Sequence, residues 1–170
     1  ARLFTACQHL DPEFWDWPLD DPDPALETLE TLQQLGDEVV LEWPQGKALR
    51  LAGNPGLRGM AVNIGAQRDW FGVSGNLTLD DGRVMDMARL LELLGATPSR
   101  FIKMGEDEYL ALSQELRKRL DRIRILQDRG RVHPLAVGLL DEALEGLQVK
   151  TDEAWQGQLQ RLAEAQELVP

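Results

Sequence analysis

Residues 60–84, MAVNIGAQRDWFGVSGNLTLDDGRV, decide how this chain is read. Met60, Val62 and Ile64 alternate with smaller or polar neighbours. A second run from Trp70 to Leu79 repeats the pattern, with Phe71, Val73, Leu77 and Leu79 on one face. A period of two places alternate side chains on opposite faces of a strand, so the two runs predict paired strands with one buried face. Gly75 interrupts that face, which implies a bulge or a close backbone approach. Asp80-Asp81-Gly82 closes the second strand.

Beyond this stretch the period changes to that of a helix. Asp86 caps a run in which Met87, Leu90, Leu91 and Leu94 form one stripe, and Gly95 stops it. Arg100 to Met104 and Glu108 to Leu112 predict a hairpin around Gly105-Glu106-Asp107. Ser113 then caps a helix with Leu116, Leu120, Ile123 and Leu126 inward. His133-Pro134 opens another with Leu140, Ala143, Leu144 and Leu147, and Thr151-Asp152-Glu153 starts a last one with Trp155, Leu159 and Leu162. Towards the N-terminus, Val39, Leu41 and Trp43 alternate with polar residues, Pro44-Gln45-Gly46 turns, and Leu49 and Leu51 return, a pattern that predicts one more hairpin. Asp23-Pro24 predicts the start of a helix carrying Leu26, Leu29, Leu32 and Leu35 up to Gly36. The stretch before it, rich in Pro and Asp, reads as a loop or edge segment. The fold class is therefore α+β, with antiparallel β-hairpins in the middle and a helical C-terminal third. It divides into an irregular segment 1–23, an α+β subdomain 24–112 and a helical subdomain 113–170.

With 170 residues and 43% hydrophobic content the chain can bury a core without disulfide or metal. Cys7 is alone, and no apolar run reaches the roughly twenty residues of a membrane span, so a cytoplasmic protein with no membrane partner is expected. The sequence starts at Ala1 with no leader-like segment, and is read as a possible fragment. A formal charge of −11 opposes diffuse attraction to nucleic acid or anionic lipid. The basic charge is concentrated in residues 113–133, where seven Lys and Arg face three Asp and Glu.

The inventory for catalysis is thin. No glycine-rich run is followed by Lys and Ser or Thr at a helix start, as a phosphate-cradling loop requires. Cys7, His9 and His133 do not make a metal set, and Cys7 with His9, even on one strand face, leaves the site open. Carboxylate pairs such as Asp80-Asp81, Asp141-Glu142 and Asp152-Glu153 sit at turns or helix starts, where capping and solvent account for them. Ser74, Ser99 and Ser113 have no nucleophile-elbow surroundings. Catalytic, cofactor-binding and metal-binding residues are thus all expected to be absent. In the basic window, Glu115 with Arg119, Arg117 with Asp121, and Arg124 with Asp128 stand four apart and read as a solvated, ion-paired face. Lys118, Arg122, Arg129 and Arg131 have no such partner and are candidate contacts to DNA phosphate or to an acidic protein surface. The stacking aromatics of a single-strand binder are not interleaved with them. Trp15 and Trp17, in Phe14-Trp15-Asp16-Trp17, are either candidate docking aromatics or covers for a core edge.

From Trp70 onward the chain resembles the region N-terminal to the motor in bacterial Swi/Snf-family helicase-like ATPases. The likeness runs through WFGVSGNLTLDDGRV (70–84), MARLLELLG (87–95), RFIKMGEDEYLALSQELRKRLDRI (100–123), HPLAVGLLDEAL (133–144) and AWQGQLQRLAEAQ (154–166) in matching order. It covers about 100 residues, 70–168, whereas residues 1–37 match only loosely. Gly72 stands where relatives have an acidic residue, so no role carries to it. The resemblance implies an accessory region lying before an ATPase motor of helicase superfamily two. That motor would hold ATP and Mg, translocate on double-stranded DNA and remodel protein–DNA or transcription complexes. This stretch would then be a non-catalytic accessory or regulatory domain whose partners are the motor of the same chain and possibly another protein. A DNA-contacting module built on the basic helix 113–131, and a stand-alone protein-interaction domain, remain open alternatives.

Overall fold

Contacts between residues distant in sequence, rather than order along the chain, divide the molecule. The computed structural model describes residues 2–14, 16–46, 48–53 and 55–167. One unit comprises Ala1–Ala52 with Phe101–Ala111, and the other Gly53–Arg100 with Leu112–Pro170. The linear division at 23 and 112 does not anticipate this, because a hairpin in the middle of the second unit's sequence belongs to the first.

In the first unit, α1 (Arg2–Ala6) is followed by irregular chain and α2 (Pro22–Gln34). The cap of α2 is Asp21, whose carboxylate accepts from the Asp23 N–H at 3.1 Å, two residues before the expected start. Both Asp-Pro pairs satisfy the capping rule, and Pro22 fits the first turn where no amide is needed. Strand β1 (Arg50–Ala52) lies parallel to β6 (Glu108–Ala111), which pairs antiparallel with β5 (Phe101–Lys103), so the predicted 100–112 hairpin forms. Leu26, Phe101 and Ala111 form the core, with Leu51 and Tyr109 packed on it.

The hairpin expected over 39–51 does not form. No residue from 39 to 46 is in a strand, Val40 is 84% exposed, and the returning arm survives only as β1, paired elsewhere. Alternation specifies a strand only where one face finds apolar surface to bury, and here neither face does.

In the second unit, β2 (Met60–Gln67) and β3 (Trp70–Thr78) pair over their whole length around a two-residue turn. Met60, Val62 and Ile64 with Phe71, Val73 and Leu77 point inward and are buried. Gly75 sits in regular register opposite Val62 with no bulge, and a Cβ there would collide with the Ala61 carbonyl oxygen, so close approach explains the glycine. The short β4 (Val84–Asp86) pairs with β3 near its end. Helix α3 (Met87–Gly95) buries Met87, Leu90, Leu91 and Leu94, and its cap Asp86 accepts from the Ala88 and Arg89 amides at 2.8 and 3.3 Å.

The C-terminal third is not purely helical. Between α4 (Gln114–Leu126) and α5 (Val137–Leu144), β7 (Arg131–Val132) pairs with β3. After α5, β8 (Gln148–Thr151) joins β2 in parallel and α6 (Glu153–Glu167) follows. Strands of two and four residues with a single buried or half-buried apolar side chain carry too little periodicity to be read beforehand. Asp152 joins β2, β8 and α6. One carboxylate oxygen accepts from the Ala66 N–H at 2.7 Å and the other from the Trp155 N–H at 3.0 Å. The Ala66 bond first, and then the Trp155 bond, hold this carboxyl below the usual Asp range. Trp155 is fully buried edge-on to Phe71, with ring centroids 5.2 Å apart. Among the described residues no helix is long and apolar enough to cross a membrane.

Candidate partner-docking surface

Helices α4 and α5 form the platform of the second unit. On α4, Leu116, Leu120 and Ile123 face inward as expected, capped by Ser113, whose hydroxyl accepts from the Leu116 N–H at 3.1 Å. The ion pairs on this helix do more than decorate a solvated face. Arg117 is buried. Its guanidinium donates to the carbonyls of Leu94, Thr97 and Ser99 at 3.1, 2.7 and 2.7 Å, and to Asp121 at 2.8 Å. It thereby closes the carbonyl end of α3 from a neighbouring helix, where a cation is favoured by the helix dipole. Arg119 holds Glu115 at 2.9 Å and also donates to the Glu142 carbonyl at 2.6 Å, tying α4 to the end of α5. Arg124 does not meet Asp128. It lies 3.6 Å from Asp121, because α4 ends at Leu126 and the extended Gln127 takes Asp128 off the helical spacing.

The outer face of this platform is apolar. Ile125 is 74% exposed and Leu139 58% exposed, and with Leu126 they line a depression of about 310 Å³ between Arg122 and Glu142. Leu135, one turn before Leu139, is also exposed. Large apolar groups bordered by opposite charges are the anatomy of an interface centre with a polar rim. Sequence reasoning assigned Ile125 no role, since one apolar residue among arginines carries no periodic signal. Leu139 carries no signal in the sequence, because its inward neighbour Leu140 satisfies the helical stripe.

The four candidate cations separate in space. Arg122 borders the α4–α5 depression. Arg129 lines a second depression, of about 330 Å³, beside α3 and β3, and Arg131 a third, of about 510 Å³, at the tip of the β2–β3 hairpin. Lys118 is exposed on α4. Among the described residues none of the four forms an ion pair. Trp17 is half-buried in the first unit, its ring edge-on to Phe4 at 5.9 Å and its indole N–H donating to the Asp11 carbonyl at 2.8 Å, a packed arrangement. Trp15 lies outside the described residues.

The remaining chemical candidates are occupied by structure. His133 Nδ1 accepts from the Leu135 N–H at 3.1 Å as the cap before Pro134. Cys7 follows α1 instead of lying on a strand, and its buried thiol faces the Thr31 hydroxyl at 3.4 Å, while His9 bonds Thr28 at 2.8 Å. Among the described residues no three His, Cys, Asp or Glu converge. Compared with models of protein families, with curated proteins and with solved structures, the chain matches none.

Proposed function

We propose that this chain is a non-catalytic accessory domain of a bacterial Swi/Snf-type ATP-dependent DNA translocase, and that the outer face of α4 and α5 docks on the ATPase motor. The motor binds ATP and Mg and moves on double-stranded DNA, and this domain restrains or directs it. The observation that carries the docking is the exposed Ile125–Leu139 pair between Arg122 and Glu142. It lies within the stretch, 70–168, that resembles the premotor region of that family. Apolar burial would supply the affinity, and the flanking charges the orientation.

The test is calorimetric titration of the 170-residue chain into the separately produced motor. Because Ile125 and Leu139 are exposed, Ile125→Asp with Leu139→Asp leaves the fold intact and is expected to weaken binding by about 100-fold. Undiminished binding by the double variant would remove the docking assignment. ATP hydrolysis by the isolated chain, lost on substitution of one of its own residues, would remove the non-catalytic one.

A further inference from the structure

The outer face of the β2–β3 sheet is unlike the rest of the surface. It exposes Asn63, Ser74, Asn76 and Thr78 around Gly65 and Gly72, with Lys150 of β8 opposite Asn63, Arg131 of β7 opposite Gly72 and the Asp152 carboxylate beside Gly65. The depression over this face, about 350 Å³, shares Gln67 with the one at the hairpin tip and shares Val73, Ser74 and Gly130 with the one beside α3. Through these shared residues the three depressions adjoin, side by side along a groove. Its floor carries Gly65 and Gly72, with the Gln67 side chain lying over Gly72. At its far end the outer edge of β3 has, among the described residues, no strand partner at Ser74 and Gly75, between the stretches paired with β7 and β4.

Unpaired arginines stand along it. Arg68 and Arg129 are the two residues other than glycine with positive φ among the described ones, at 53° and 49°. Each occupies a two-residue turn. Arg68 lies between the paired Gln67 and Trp70, and Arg129 precedes the left-handed Gly130 between Asp128 and Arg131, whose backbones exchange bonds of 2.8 and 3.0 Å. Asn or Gly fits such positions without strain, and arginine does not, so both turns hold a cation at a conformational cost. Arg131 lies over the Trp70 ring with its guanidinium carbon 5.6 Å from the centroid, and the His133 ring meets Trp70 edge-on at 5.2 Å. Held near the ring face, the guanidinium has N–H groups available for an anion. With Nδ1 accepting in its cap, neutral His133 carries its proton on Nε2 and offers a second donor. Asp69 is the opposing carboxylate at the tip. At the far end Asp86 is engaged as a helix cap and Glu92 is paired with Arg89 at 3.0 Å.

We infer that this groove binds single-stranded nucleic acid, with phosphates on Arg68, Arg129 and Arg131 and a base against Trp70. Cations, an exposed aromatic ring and polar side chains match the phosphates, ring faces and base edges of an unpaired strand. A duplex fits less well. A free two-stranded ribbon enters a major groove about 12 Å wide. Here β8 flanks β2 and β4 flanks β3, and four strands at about 4.8 Å spacing already span roughly 14 Å before side chains.

Fluorescence anisotropy of the 170-residue chain with a labelled oligothymidylate of about 12 nucleotides at low salt tests this. Binding is expected to fall with a log–log salt slope of about −2, three contacts at ~0.7 each. Trp70→Ala is expected to weaken it about tenfold. Arg129→Gly relieves the backbone and so keeps the fold, yet is expected to weaken binding about fivefold and to flatten the slope by ~0.7. No binding at low salt, affinity indifferent to Arg129→Gly and Trp70→Ala, or equal affinity for a duplex of the same length would each overturn the assignment. Ile125→Asp with Leu139→Asp leaves oligonucleotide binding unchanged, so this site and the motor-docking face fail independently.

Discussion

The second unit presents two surfaces of opposite character, the α4–α5 face and the outer face of the β2–β3 sheet. The first exposes large apolar side chains on helices where Arg117 is spent on carbonyls and Arg119 on Glu115 and the Glu142 carbonyl, with the unpaired Arg122 at its border. The second exposes small polar residues and glycines, with its arginines held at the rim and unpaired. Dewetted apolar area favours a protein partner, while unpaired cations beside an exposed aromatic ring favour a polyanion. The contrast also shows that a net charge of −11 says little about any one surface.

Breaking the scaffold under each surface separates them. The largest effect is expected at Gly75, where any side chain meets the Ala61 carbonyl. Gly75→Val should destabilise the chain by roughly 4 kcal/mol in urea unfolding and disturb the sheet face first. Next is Arg117→Met, which leaves three carbonyls and Asp121 without their donor. It is expected to cost about 3 kcal/mol and to loosen the helical platform, visible as faster amide exchange at the end of α3.

Asp152→Asn acts on β2, β8 and α6 together and has a smaller, pH-dependent effect. Because the folded carboxyl titrates below its unfolded range, its contribution is complete above that range and is lost as pH falls through the folded value. The variant should therefore melt below the parent protein at neutral pH, and the gap should close on acidification. A gap that widened in acid would contradict the bonding of Asp152. Smallest is Arg129→Gly, expected to be neutral or stabilising by up to about 1 kcal/mol in thermal melts.

Much of this scaffold is legible in the residues, for identifiable reasons. The β2–β3 pair, α3 with its Asp86 cap, the 100–112 hairpin and the Ser113 cap each combine an apolar period with a matching stop signal. Residues 39–46 have the period without a surface to bury it on, and β7 and β8 have a surface without a readable period. The exposed α4–α5 face is hidden in the sequence because Ile125 and Leu139 are single residues out of phase with buried stripes. The groove was hidden because it depends on turns at Arg68 and Arg129, where side chain and backbone preference disagree. Of the four unpaired cations, the fold carries Arg129 and Arg131 to the depressions beside β3, Arg122 to the α4–α5 face, and leaves Lys118 exposed on α4.

Amide hydrogen exchange of the 170-residue chain, alone and with the ATPase motor, addresses the docking most directly. Slowed exchange is expected in residues 122–126 and 135–142, with the β2–β3 face unchanged. Protection confined to other segments, with α4 and α5 exchanging as in the free chain, would contradict it.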